Sequence, residues 1–373
     1  MASPNKATVL RRHDQNTLLN TAAPPLMPRS AHDLSTSHPQ TGVDAAVVTA
    51  ATQALRDGQT HYVDVPGVGP LRQALAEYLN DVYDAVYDSS QVLITAGIQE
   101  SRFLTLQKIG EQYEQISIPA VVHPGVRRAL GTRPLSVSEI EVDEENGFLP
   151  SVDTIRRALE GGSRLLYLEA PSRLTGKAYG AEDAAMLAHL LQEFEAGLIL
   201  DQGLAPWVSD GGYQSPAAGQ GAQDYIAVLG EVWPGMGLDS WFIGYIATPQ
   251  KWFEPMRSQK QIMAICTSTA SQYAALEVGK MFKDGRAAQM SKLAENRARA
   301  ATLAREVGLE PLPGETNSVI AVRCEAEKKS EIQEALRQAG YAVADGAQFG
   351  TVGVLRLAIS LDDTTTMALQ RLS

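Results

Sequence analysis

Cysteine is nearly absent from this chain. Its 373 residues include two, Cys266 and Cys324. They are too few and too far apart for a disulfide framework, so reduced thiols in a cytoplasmic protein are expected. Positive charge is also short: 32 Lys and Arg against 43 Asp and Glu leave a formal net charge of −11. That sign argues against nucleic acid or anionic membrane as a partner. No apolar run reaches the roughly 18 residues that span a bilayer. The opening MASPNKATVLRRHDQNTLLN lacks the apolar block of a signal peptide. The six histidines have no metal-ligand spacing with the cysteines, so no metal site is expected. The sharpest local deficit is basic: no Lys or Arg lies between Lys177 and Lys251, and so none in GEVWPGMGLDSWFIGY, residues Gly230 to Tyr245.

What is present is apolar mass. Hydrophobic residues make up 44% of the chain, enough for a large core and two packed units. Residues 1–47, with the Pro-rich TAAPPLMPRS, read as an arm and a lead-in to the smaller unit. VGPLRQALAEYLNDVY is an amphipathic helix after a Gly/Pro start. QVLITAG, EQISIPA, RPLSVSE, RLLYLEAP, GLILDQ, YIAVLGEV and WFIGYIA read as strands, separated mostly by helical segments such as AEDAAMLAHLLQEFEAG. This alternation predicts an α/β unit over 48–283 with a mostly parallel sheet covered on both faces. Residues 284–373 end in a strand–helix–strand pattern, NSVIAVRC, KKSEIQEALRQAGYAVADG and GVLRLAIS, which reads as a smaller domain.

Open parallel sheets bind ligands at the carboxyl ends of their strands. Gly97-Ile98-Gln99 follows QVLITA, and a Gly turn opening a helix offers free N–H groups to an anion. SRLTGKAYG follows RLLYLEAP, Asp201 follows GLIL, and Arg356 follows GVL.

In this order the segments resemble the class I/II aminotransferases, fold type I enzymes that use pyridoxal 5′-phosphate (PLP). THYVDVPGVGPLRQALAEYL, ITAGIQESRFL, PSRLTG, LILDQGLAPW and VLRLAIS each resemble a family segment, from about His32 to the end of the chain. The resemblance implies a seven-stranded, mostly parallel sheet in a large domain, a small α+β domain, and a homodimer with sites at its interface. It gives Asp201 the place of the aspartate that pairs with the pyridine nitrogen. It gives Arg356 the place of the arginine that grips a carboxylate, and Gly97, Ile98 and Gln99 that of the phosphate-facing turn. Tyr62 falls where a tyrosine reaches the partner subunit's phosphate, and His123 where an aromatic ring stacks on the cofactor.

Four positions depart from the family pattern. Arg173 stands at the family's asparagine, Leu204 at its tyrosine, Pro234 at the imine-forming lysine and Phe242 at the phosphate-binding arginine. From these departures we expect a repurposed, PLP-independent enzyme with no cofactor. It would act by acid/base chemistry on an amino-acid-like or keto-acid carboxylate in small-molecule biosynthesis. Asp201 and His123 would supply the base, with Glu231 as a second candidate. Arg356 and Arg173 would hold anionic oxygens, and His38 and Trp233 would line the pocket. An inactive scaffold, and an enzyme that takes PLP or its amine form PMP without an imine, are the alternatives.

Overall fold

A computed structural model describes residues 32–132, 135–219 and 221–372. The expected arm over the first 31 residues lies outside these. The large unit is built on seven strands: β2 (Val92–Thr95), β3 (Gln115–Pro119), β4 (Ser136–Ile140), β5 (Leu165–Glu169), β6 (Gly197–Asp201), β7 (Ile226–Glu231) and β8 (Gly244–Ala247). Their order is β2-β8-β7-β6-β5-β3-β4, with β8 antiparallel to both neighbours and the other pairs parallel. This is the expected α/β, seven-stranded, mostly parallel architecture.

Apart from the partly exposed edge strand β4 (SVSEI), the strands read as mostly apolar runs because both faces are buried. In β5, Leu166 and Leu168 enter one core with Leu187 and Leu190, while Leu165 and Tyr167 enter the other with Leu104 and Trp252. Helix α1 (Ala45–Arg56) and α2 (Gly69–Tyr83) lead into the sheet. Helices α3 (Gly97–Lys108), α4 (Pro124–Leu130), α5 (Val152–Glu160) and α6 (Ala181–Glu193) follow successive strands.

Two segments differ from the sequence expectation. TPQKWFEP, just past the last strand of the large unit, reads as a turn in the sequence but opens helix α7 (Gln250–Met263), with Pro255 inside it. One missing N–H is tolerated there because Trp252, Phe253 and Met256 are buried. The helical segments on either side of residue 283 form a single helix, α8 (Thr269–Glu306), so the expected 283/284 boundary falls within it. At Gly285 an added Cβ would lie 2.6 Å from Met236 Cε, so the bare backbone admits the loop that follows β7.

The small unit has a second sheet, β12 (Ala344–Asp345), β13 (Val354–Ala358), β10 (Val319–Arg323) and β9 (Glu310–Pro311), in that order. Helix α9 (Ala326–Gln338) lies between β10 and the later strands, as the sequence pattern predicts. Strand β1 (His32–Asp33) pairs in parallel with β11 (Tyr341–Ala342), which ties the segment leading to His38 to this unit. Among the described residues no helix is long and apolar enough to cross a membrane.

Candidate active site

The carboxyl ends of β5, β6 and β7 meet α3, the loop after β5 and strand β13 in a buried charged cluster. Asp201, the last residue of β6, is fully buried. Its Oδ2 accepts from Arg102 Nη2 at 2.7 Å, Arg102 Nε at 3.2 Å and the Tyr167 hydroxyl at 3.2 Å. Its Oδ1 accepts from Arg173 Nη2 at 2.6 Å, Arg173 Nε at 3.0 Å and the Gly203 amide at 3.1 Å. Burial alone pushes the carboxyl up, but the two guanidiniums outweigh it and hold Asp201 below the usual range.

Arg173 makes a second bidentate pair, Nη1 and Nη2 donating to Glu231 Oε1 and Oε2 at 3.0 and 2.9 Å. Glu231 ends β7. Burial raises its carboxyl, yet Arg173 and then His38 bring it well below the ordinary value. His38 Nε2 stands 3.3 Å from Glu231 Oε1 without hydrogen-bond alignment. Trp207 Nε1 donates to His38 Nδ1 at 3.1 Å, which leaves the proton of a neutral ring on Nε2.

His123 caps α4: its Nδ1 accepts from the Gly125 amide at 3.0 Å, and its ring meets Phe349 edge-on at 5.7 Å. Burial, then Arg102 and Arg173, lower it well below an ordinary histidine, so the ring is neutral at neutral pH. Its backbone N–H donates to Glu169 Oε1 at 3.0 Å. Glu169 is buried and paired in register with Asp201. Burial, then the Asp201 charge, raise it to about 7.

Arg356 is buried beneath the same cluster. Its Nη1 donates to the Arg173 carbonyl at 2.8 Å and to Ser37 Oγ at 3.3 Å. Its Nη2 donates to the Ser35 and Thr36 carbonyls, and its Nε has no partner. Burial, then Arg173, lower it to about 10, so it stays charged at neutral pH.

Asp201, Arg173, Glu231, His38, His123 and Arg356 are thus brought to one place. Trp233, expected to line the pocket, does not join them. Its left-handed φ of 50° turns the indole into the core, 5.1 Å from the rings of Tyr78 and Phe282. Leu204 and Pro234 are buried, whereas Phe242 is 65% exposed and Tyr62 78% exposed. Gly97 takes φ +75°, and an added Cβ would touch Phe242 at 3.8 Å. Gln99 Nε2 donates to the Gly125 carbonyl, and half-buried Ile98 packs on the core beneath the turn.

Sequence reasoning missed Arg102, Tyr167, Glu169 and Gly203. Glu169 had a signal, since it is the last residue of a strand whose following loop attracted attention. Arg102 had a fainter one: it sits three residues after Gln99, on the same side of α3.

Glu169 carries a pH prediction. Its folded value lies above that of an unfolded glutamate, so the folded state binds more protons between the two, and stability falls as pH rises through that window. His123, lowered by folding, works the opposite way below its ordinary value. Urea unfolding of wild type and Glu169→Gln separates them. From about pH 5 to 7.5 the wild-type midpoint should fall relative to the variant; parallel curves would refute the assignment.

The family model for aminotransferase class I and II matches residues 30–372. The chain belongs to that family. The aspartate/prephenate aminotransferase of Thermus thermophilus is 26% identical over 347 residues, covering 91% of this chain and 89% of that one. A probable aspartate/prephenate aminotransferase of Aquifex aeolicus is 26% identical, covering 84% and 82%. Among solved structures, an aromatic aminotransferase from Pyrococcus horikoshii superimposes with a TM-score of 0.84 at 21% identity, covering 96% of this chain and 97% of that one.

These matches correct the expectation of a PLP-independent enzyme or scaffold with no cofactor. Similarity along nine-tenths of the chain to named aminotransferases places it in a PLP-using family and favours ordinary aminotransferase activity.

The residues present fit PLP in part. Gly97, Ile98 and Gln99 open α3, where helix amides can hold a phosphate, although the Glu100 carboxylate already accepts from the Ala96 amide beside them. The buried Lys260 reaches the same helix start, pairing with Glu100 at 3.0 Å. Asp201 stands at a strand end with a carboxylate of the kind that pairs with a protonated ring nitrogen, but both of its oxygens already accept from the chain's own donors. Phe242 offers the phosphate no charge. Neither Lys177, 2.8 Å from Glu315, nor Lys251, over the rings of Tyr225 and Trp252, is among the groups that contact Asp201.

Proposed function

We propose that this chain is an aminotransferase that moves an amino group between a carboxylate-bearing amino acid and a keto acid, using PLP. The observation that carries the reading is the convergence of Asp201, Arg356 and the Gly97 turn at the carboxyl edge of one sheet, within a family of aminotransferases. Aspartate is the first amino donor to test, because relatives covering most of the chain are named for it.

When bound, PLP supplies the electron sink of amino-group transfer. Asp201 would hold the ring nitrogen charged, and the amides of Gly97, Ile98 and Gln99 would hold the phosphate. Arg356 would exchange main-chain carbonyls for the substrate carboxylate, starting from its unpartnered Nε. Neutral His123, with its proton on Nε2, would donate a hydrogen bond within the site. A homodimer accords with the exposure of Tyr62 and Phe242.

The test is a titration of purified protein with PLP and with PMP, followed by absorbance and calorimetry, then an aspartate transamination assay. Saturable cofactor binding with turnover of aspartate or another amino acid is expected. Protein that binds neither form refutes the proposal.

A further inference from the structure

Asp201 cannot serve a ring nitrogen in the arrangement observed. Six donor contacts from four groups engage its two oxygens, two from each arginine and one each from the Tyr167 hydroxyl and the Gly203 amide. A ligand N–H reaches the carboxylate only by displacing one of them. Arg102 is not the one to yield. It projects from α3 and is completely enclosed, with its Nη1 also on Gln99. Arg173 is just as enclosed, but it differs in its attachment and in having a second carboxylate partner. It lies in the loop after β5, and its second partner, Glu231, retains 20% of its exposure. Arg173 can therefore leave Asp201 and keep a counterion.

Gly203 makes the present position of Arg173 possible. An added Cβ there would lie 1.9 Å from Arg173 Nη2 and 2.2 Å from Glu231 Oε2. Gly203 is not among the left-handed glycines, so alanine strains no backbone at this position. The empty volume beside Gly203 is occupied by the guanidinium and its partner.

We propose that Arg173 controls cofactor entry. Its guanidinium lies on Asp201 Oδ1 and on Glu231 together, and it gives up Asp201 while keeping Glu231 when a protonated ring takes its place. The proposal rests on the reading of this site as a PLP seat, and adds a residue that competes with the ring. Because the competitor is part of the chain, its removal should tighten binding. Few purely structural roles would have that effect.

Two variants test this by different routes. Arg173→Asn deletes the competitor and leaves Asp201 on Arg102. Gly203→Ala keeps the charge and crowds both Arg173 Nη2 and Glu231 Oε2, so the guanidinium can no longer bridge Asp201 and Glu231 as it does now. Calorimetry should show PLP bound at least about tenfold more tightly by each variant, a change of about 1.4 kcal/mol. Inorganic phosphate, which probes the Gly97 turn alone, should bind all three proteins equally. Circular dichroism and urea unfolding establish that the variants are folded. Folded variants that bind PLP no more tightly than wild type overturn the proposal. Wild type that fails to bind while the variants succeed would leave it standing and sink the proposed function instead.

Discussion

Replacing Asp201 by asparagine should cost about 3–5 kcal/mol of folding free energy, the range for breaking a buried ion pair by removing one partner. The shape of the side chain is retained, so the loss is electrostatic. Arg173 keeps Glu231, but Arg102 is left completely buried with only Gln99 and no carboxylate in contact. An asparagine amide also turns a donor toward a guanidinium that has only donors. Urea unfolding at neutral pH measures the difference. A double variant with Arg102→Met should recover much of it, because an apolar side chain of similar length needs no counterion. A single variant as stable as wild type would mean that water already screens the cluster. The gap should close in acid: Asp201 is lowered in the folded state, so its contribution is present above its unfolded value and disappears as pH falls through the folded one.

The second large effect belongs to Arg356. Exchange for lysine keeps the charge but removes the planar fork that two carboxylate oxygens require. Two charge-assisted hydrogen bonds at about 1.5–3 kcal/mol each set the scale. After allowance for one contact that lysine retains, kcat/KM for an amino acid substrate should fall by about 10²-fold. Most of the change should appear in KM if the carboxylate is held equally in the ground and transition states. Arg356 also gathers the carbonyls of Ser35, Thr36 and Arg173, so urea unfolding of the same variant must accompany the kinetics. An unchanged KM in a folded variant would show that the carboxylate binds elsewhere.

The architecture was legible because its signals are local. Most of the seven strands are short apolar runs bounded by turn residues, the edge strand β4 (SVSEI) being the polar exception, and the sheet has all seven. Pro255 concealed α7, since a proline within a short segment resembles a turn until tertiary burial of its neighbours pays the lost hydrogen bond. The candidate site was partly legible for the same reason: Asp201, Arg173 and Glu231 lie at or just after strand ends, where open sheets place their ligands. Trp233 was misread because its direction depends on one left-handed backbone angle that a Gly-rich loop does not reveal. The cofactor was misread for a different reason. Pro234 and Phe242 are single positions, whereas the likeness to a named aminotransferase runs over 91% of the chain.

The sequence by itself determined the α/β class, the strand order in the chain, the family likeness, and the absence of any basic residue between Lys177 and Lys251. Only the tertiary structure decided which acid meets which base. Arg102 and Arg173 lie 99 and 28 residues from Asp201 along the chain, and folding brings both within 2.7 Å of it. Such pairs are invisible to short-range patterns. Their strength depends on distance and on how completely water is excluded, and both are set by packing. Whether Arg173 is a ligand for substrate or a counterion for Asp201 is therefore a question of geometry, and in this structure its guanidinium lies between Asp201 and Glu231.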